Sequence, residues 1–268
     1  MDAQSVVRIV APSGDSELAA DLLWQAGASA VGLDERDDGT VVLTADVARP
    51  PADVPSSWSV EVLEVDPGEG LDAWREFAQP VRAGRRIVLQ PAWLPHDADS
   101  DDDIVVLLDA GRSFGSGSHP TTRLVLASLE DHLVGGEHVL DVGCGSGVLS
   151  IGACLLGAAS AVGIDIDAAA VEATRDNAKR NGVSARVQVS ATTLREIDGT
   201  FDVLLANIGG RVVRELHDDL VARARPGALV VLAGFLDDQA GEVVKAYASC
   251  REVDRRSEDG WTVLTLRT

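Results

Sequence analysis

Three glycines alternate through the segment Val139-Leu140-Asp141-Val142-Gly143-Cys144-Gly145-Ser146-Gly147. The apolar residues before them read as a strand and the residues after them as a helix, so the glycines fall on the turn between the two. Glycine reaches backbone angles closed to other residues, and with no Cβ it lets the main chain lie directly against a ligand. Gly143, Gly145 and Gly147 are therefore candidates for a ligand cradle. The next strand ends in Gly163-Ile164-Asp165-Ile166-Asp167, which puts Asp165 22 residues past Gly143 at the carboxyl end of a neighbouring strand. A carboxylate there suits the two hydroxyls of a ribose, whereas Asp167 suits the N-cap of the helix that follows.

The neighbours of the glycines narrow the ligand. A GxGxxG dinucleotide loop needs glycine where Val148 stands, and a P-loop needs Gly-Lys-Ser/Thr, which this segment lacks. Asp141 adds negative charge where a diphosphate would sit, which is electrostatically unfavourable. A cationic ligand gains from the same charge. S-adenosylmethionine carries a sulfonium and an ammonium group and no phosphate, so it suits a glycine loop with an acid such as Asp141 beside it. Cys144, with no base placed beside it, reads as a small packing residue rather than a nucleophile. His119, before Pro120, either organises a turn or serves as a general base, and Thr122 is placed to cap the next helix.

These residues need strands and helices to hold them, and the chain supplies both. Of 268 residues, 46% are hydrophobic and 25% charged, enough for a sizeable core. Residues 1–65 read as a small α+β unit. Strands are expected at Val6–Val10, Ala30–Leu33, Val41–Ala45 and Ser59–Val65, with a helix after Ser16 as its cap and a turn at Asp38-Gly39. Residues 66–103 read as a connector, with a helix around Leu71–Phe77, a strand around Arg86–Leu89 and a Pro-Ala-Trp-Leu-Pro turn. Residues 104–268 alternate strand and helix, the pattern of a mostly parallel sheet covered on both faces, and close with a hairpin turning at Glu258-Asp259-Gly260. A single helix is expected over Arg211–Arg223, with Arg211 and Arg214 on its exposed face.

Charge and cysteine content exclude several classes. The net charge of −20 disfavours general nucleic-acid binding and favours a basic partner. It is uneven: residues 1–103 hold 21 acids and 7 bases, residues 104–268 hold 22 and 16. The acidic run Asp97, Asp99, Asp101, Asp102 and Asp103 lacks the glycine and distal glutamate of a calcium loop and reads as a solvated loop, so no metal is expected. Three scattered cysteines and the lack of a basic, apolar leader point to the cytoplasm. The uncharged stretch from Val142 to Ile164 is long enough to cross a bilayer, but six glycines interrupt it, so it reads as strand, loop, helix and strand. Five of the ten aromatics are tryptophans, and none sits in a basic cluster that would stack RNA.

Asp-Val-Gly-Cys-Gly-Ser-Gly followed by Gly-Ile-Asp-Ile-Asp resembles the Rossmann-type, seven-stranded methyltransferases that use S-adenosylmethionine. Two further motifs, Phe114-Gly115-Ser116-Gly117-Ser118-His119-Pro120-Thr121-Thr122 and Ala206-Asn207-Ile208, resemble the ribosomal protein methyltransferases of PrmA type. The likeness covers the catalytic region and the Trp74 to Trp93 connector and extends more loosely into residues 1–65. It implies an α/β fold with a seven-stranded methyltransferase sheet and a small N-terminal α+β domain of ferredoxin-like kind. It also implies cofactor contacts from Thr122, Gly143, Asp165 and Asn207, Asn207 as the residue that orients an incoming amine, and residues 1–65 as the part that recognises a basic ribosomal protein. The family's substrate is ribosomal protein L11, methylated on amines. The sequence departs from the pattern at Gly115-Ser116-Gly117-Ser118, where Gly-Thr-Gly-Thr or Gly-Thr-Gly-Ser is more typical. Enzymes that methylate base amines carry Asn-Pro-Pro-Tyr where this chain has Asn207-Ile208-Gly209-Gly210, so DNA is not the expected substrate. A methyltransferase acting on another protein or a small molecule, and a cofactor-binding module with no transfer activity, are the alternatives.

Overall fold

The computed structural model describes residues 4–26, 31–36, 38–45, 47, 49–51, 54–65, 79–95, 102–109 and 119–268. The expected helix at Leu71–Phe77, Trp74, the acids Asp97, Asp99 and Asp101, and Phe114–Ser118 lie outside those residues. The chain divides into two units, Met1–Ala78 and Gln79–Thr268.

The first unit is built on one antiparallel sheet in the order β2-β3-β1-β4. Its strands are β1 (Gln4–Pro12), β2 (Val31–Glu35), β3 (Thr40–Ala45) and β4 (Ser59–Val65), and helix α1 spans Ser16–Gln25. Alternate residues Val7, Ile9, Ala11, Val41, Leu43 and Ala45 share one face and pack with Ala19 and Leu23 of α1. The strand order and directions are those of a ferredoxin-like sheet. The described residues between β3 and β4 include no helical segment. Ser16 does not cap α1, because a 3-10 turn over Ser13–Asp15 leads straight into it. Asp15 instead accepts a hydrogen bond from the indole of the buried Trp58 at 3.3 Å.

The second unit carries two sheets. Strands β5 (Val81–Ala83), β6 (Ile87–Pro91) and β7 (Ile104–Leu108) form the smaller one, so residues 79–95, expected in the connector, fold with the catalytic unit. Helix α2 (Pro120–His132) staples the β5–β6 turn. Its buried Glu130 accepts hydrogen bonds from the main-chain N–H of Arg85 at 2.6 Å and from the N–H and Nε of Arg86 at 3.2 and 2.9 Å. Asp103, of the acidic run, is held by a two-pronged pair with Arg82 at 2.9 and 3.0 Å.

The larger sheet contains β8 (His138–Val142), β9 (Ser160–Ile164), β10 (Val187–Ser190), β11 (Phe201–Asn207), β12 (Ala224–Leu236), β13 (Arg251–Glu258) and β14 (Trp261–Arg267). Their order is β10-β9-β8-β11-β12-β14-β13, parallel except for the terminal hairpin, in which β14 lies antiparallel between β12 and β13. The connecting helices are α3 (Val148–Leu155), α4 (Ala168–Arg180), α5 (Gly210–Glu215), α6 (His217–Arg223) and α7 (Ala240–Ala246). Strand residues alternate between two cores: Val139, Val203, Leu205 and Val231 face one, Leu140, Leu204, Val230 and Leu232 the other. The chain runs outward from β8 through β9 to β10, then returns to β11 on the other side of β8. The order therefore reverses between β8 and β11, the place where open sheets of this kind take a ligand, in the crevice at the carboxyl ends of the strands.

Two differences from the expected elements have local causes. The single helix over Arg211–Arg223 breaks at Leu216, and Asp218 and Asp219 supply the negative charge that favours a fresh helix start. The exposed edge of β7 is closed by Asn181, just past α4. Its amide accepts from the Leu107 N–H at 2.8 Å and donates to the Leu107 carbonyl at 2.7 Å, as a neighbouring strand would. Among the described residues no helix is long and apolar enough to cross a membrane. The glycine-rich stretch from Val142 to Ile164 is, as expected, the end of β8, a loop, α3 and β9.

Candidate active site

The glycine loop lies at the end of β8, and its three glycines all take positive φ angles: 74° at Gly143, 53° at Gly145 and 80° at Gly147. Only glycine holds these angles without strain. Space forbids other residues as well, because a Cβ on Gly143 would lie 2.5 Å from the Ile208 side chain and one on Gly147 would lie 2.7 Å from Thr174. The N–H groups of Gly143 and Cys144 bond the Ile164 carbonyl at 2.8 and 3.1 Å, which ties the loop to the end of β9.

Asp165 faces the loop directly. One carboxylate oxygen accepts the Gly145 N–H at 2.9 Å and the other accepts the Asp167 N–H at 3.0 Å. Its carboxylate stays half-buried at the crevice, with lone pairs left over, since each oxygen can accept two bonds. Asp167 caps α4 as expected, accepting from the Ala169 N–H at 2.8 Å. Between them, Ile166 is 90% exposed. An aliphatic side chain standing in solvent beside a carboxylate suited to ribose hydroxyls offers a flat apolar base a surface to cover. Its only mark in the sequence is an isoleucine between two aspartates after a strand.

Asp141 lies beneath the loop rather than in its mouth, with 1% of its surface exposed. It accepts the Ser150 hydroxyl at 2.7 Å and the Ser150 N–H at 3.1 Å, fixing the first turns of α3. Burial pushes its carboxyl up to about 6, the Ser150 bonds pull it back, and the charge of Asp165 adds to the rise. Cys144 is buried against Thr174, and burial pushes its thiol far above the ordinary range, as befits a packing residue.

Helix α4 grips the loop from the other side. The buried Thr174 hydroxyl donates to the Gly145 carbonyl at 2.8 Å, and the fully buried Asn177 donates to the Ser146 carbonyl at 2.9 Å. Neither residue was singled out from the sequence.

Across the crevice, Asn207 ends β11 in register with Ala233 of β12. The Ile208 N–H bonds the Ala233 carbonyl at 3.1 Å, and Gly234 takes a φ of 91° because the Ile208 main chain backs directly onto it. Asn207 is half-buried, and its amide has no hydrogen-bond partner among the described residues. Through Ile208, this loop touches Gly143, so the structure brings Gly143, Gly145, Gly147, Asp141, Asp165 and Asn207 to one crevice.

Thr122 is buried in the first turn of α2, but it is not the cap. His119 holds that position, with its Nδ1 accepting from the Thr121 N–H at 3.3 Å, and Pro120 follows where a missing N–H does no harm. His119 also meets Trp261 edge-to-face at 4.7 Å, and burial, aided by the Arg123 charge, holds its pKa below the ordinary histidine value. A neutral ring with a lone pair on Nδ1 is what the cap requires. Arg211 and Arg214 pair with Glu215 and Glu242. No cluster of three or more His, Cys, Asp or Glu among the described residues is placed to hold a metal ion.

The crevice fits S-adenosylmethionine. The glycine loop offers main chain bare of side chains, Asp165 suits ribose hydroxyls, Ile166 suits an adenine face, and Asp141 places a carboxyl group behind the loop. Comparison with known proteins agrees with this chemistry. The family model described as "Ribosomal protein L11 methyltransferase (PrmA)" matches residues 28–268. A ribosomal protein L11 methyltransferase from Ralstonia pickettii (strain 12J) is 44% identical over 204 residues, which is 76% of this chain and 67% of that protein. One from Cupriavidus metallidurans is 39% identical over 255 residues, 91% of this chain and 78% of that protein. Among solved structures, the ribosomal protein L11 methylase of Lactobacillus delbrueckii subsp. bulgaricus is 27% identical with a TM-score of 0.66, covering 71% of this chain and 97% of that one. The chain belongs to the PrmA family of ribosomal protein L11 methyltransferases.

Proposed function

We propose that the enzyme transfers methyl groups from S-adenosylmethionine to lysine or N-terminal amines of a ribosomal protein of L11 type, with the acidic N-terminal unit recognising that basic substrate in the cytoplasm. The observation that carries the reading is Asn207, half-buried at the carboxyl end of β11, whose amide has no hydrogen-bond partner among the described residues. The names of the relatives supply the substrate class.

When bound, S-adenosylmethionine supplies a methyl group on a positively charged sulfur. Gly143, Gly145 and Gly147 would lie against it, Asp165 would take its ribose, and Thr122 would complete the pocket. What remains for the protein is to present a neutral amine in line with that methyl group and to keep water away. A free lysine titrates at about 10.4 and an N-terminal amine at about 8, so the amine must lose a proton before its lone pair can attack. Removal from water favours that loss. The Asn207 amide oxygen can then accept an N–H of the neutral amine and aim its lone pair.

The test uses the full chain, radiolabelled S-adenosylmethionine and ribosomal proteins from a strain lacking the gene, with mass spectrometry to locate the label. Label on lysine or N-terminal amines of the L11 protein is the expected result. Label on another protein, or none while the cofactor still binds, would move the acceptor elsewhere and leave the methyltransferase.

A further inference from the structure

Asn177 lies in the last turn of α4, fully buried, and its amide joins two segments far apart in sequence. Its Nδ2 donates to the Ser146 carbonyl at 2.9 Å and to the Asp109 carbonyl at 3.1 Å. Its Oδ1 accepts the Asp109 N–H at 2.9 Å and an Arg180 guanidinium N–H at 2.9 Å. Two donors and two lone pairs are the full capacity of an asparagine amide, and all four are engaged. Ser146 belongs to the glycine loop. Asp109 follows β7 and begins the stretch that leads to His119, Pro120 and Thr122.

We propose that Asn177 is a positioning residue for cofactor binding, a side chain whose amide ties Ser146 of the glycine loop to Asp109 at the end of β7. The proposal rests on the reading of that loop as the S-adenosylmethionine site and on no particular methyl acceptor. Asn181 is its internal control. It lies four residues on, near the same β7 edge, and bonds both main-chain groups of Leu107, but none of its bonds reaches the glycine loop. A role confined to holding β7 would make the two asparagines equivalent. A role in the site separates them.

Asn177→Asp keeps size and acceptor oxygens and loses the donors that reach the Ser146 and Asp109 carbonyls. Asn181→Asp makes the same change against Leu107. Binding of S-adenosylmethionine to the full chain is measured by calorimetry with no acceptor present, alongside thermal unfolding, and kcat is measured at saturating cofactor. Asn177→Asp is expected to raise the cofactor Kd about tenfold, the scale of a lost buried hydrogen bond, with kcat within about twofold. Asn181→Asp is expected to lower the unfolding midpoint and leave Kd within about twofold. If Asn177→Asp does not fold, Asn177→Ser, which keeps one hydroxyl donor, gives a smaller rise in the same direction. Equal changes in Kd for Asn177 and Asn181 variants, or a wild-type Kd in a folded Asn177 variant, would overturn the proposal. Failure of the wild-type chain to bind would instead strike the cofactor reading itself.

Discussion

The two halves of the crevice are held in opposite ways. On the β8–β9 side the side chains are anchored to the main chain: Asp165 holds two main-chain N–H groups, Thr174 and Asn177 hold two successive loop carbonyls, and Ser150 bonds Asp141. On the β11 side the backbone is just as fixed, through Ile208, Ala233 and Gly234, yet the Asn207 amide makes no bond among the described residues. The difference teaches how a transferase separates its tasks. A small ligand that is the same at every turnover is best met by a rigid, preassembled surface, because nothing need be ordered when it binds. An amine brought in by a protein substrate needs a group at a fixed place with its hydrogen-bonding capacity still open.

The sharpest way to break that division is Asn207→Ala. Removing the group that aligns the amine is expected to lower kcat by about 100-fold, within the range that misplacement of a reactant costs. Cofactor affinity should fall by far less, even with a direct Asn207 contact, because the β8–β9 side keeps its hydrogen bonds. Rates at saturating cofactor, set beside calorimetric binding, decide the matter. Equal losses in both would mean that Asn207 belongs to the cofactor half.

Asp165→Ala probes the other side with a smaller expected effect. Cofactor Kd should rise about tenfold, since a charged hydrogen-bond acceptor is lost and the Gly145 N–H loses its anchor. Here kcat at saturating cofactor should change little, the reverse of the Asn207 pattern. Asp165→Asn, which still offers one oxygen, should fall between Ala and wild type. Unchanged affinity by calorimetry would remove the ribose assignment.

How much of this was legible in the sequence follows from which interactions are local. Strand β8 runs over His138–Val142 as its apolar run required, and Asp167 caps α4 from the position that its spacing indicated. The glycine loop and Asp165 were legible as strand-end positions, and Asn207 came from the family resemblance; the structure puts all three at the carboxyl ends of strands in one sheet. Asn177 was not, since its partners lie 68 and 31 residues away and no periodicity marks such a bond. His119 replaced Thr122 as the cap because a histidine nitrogen can do what a hydroxyl does when burial keeps the ring neutral, a condition invisible in sequence. Likewise β5 and β6 join β7 by pairing across the acidic run, so the connector's second half went to the catalytic unit for reasons of register rather than composition.

The smallest expected effect concerns Asp141, and it tests whether the two halves communicate by charge. With its folded carboxyl near 6 and an unfolded value near 3.8, the unfolded chain ionises this group first as pH rises. Asp141 therefore removes stability between about pH 4 and 6, on the order of 3 kcal/mol in all, and the loss is complete above that window. Asp141→Asn should accordingly stabilise the protein at pH 7 while keeping an acceptor for Ser150. A positively charged sulfur in the crevice would favour the ionised carboxyl, so S-adenosylmethionine should bind a few-fold better, relative to S-adenosylhomocysteine, at pH 7.5 than at pH 5.5. The ratio of the two ligands is the useful quantity. They share the ribose, the base and the amino acid groups, so the titration of His119 and of the ligands' own groups cancels, leaving the sulfur's charge. In Asp141→Asn the ratio should be flat with pH. A flat ratio in the wild type would confine Asp141 to holding Ser150 and leave the sulfonium to be stabilised from the Asn207 side, which would redraw the boundary between the two halves.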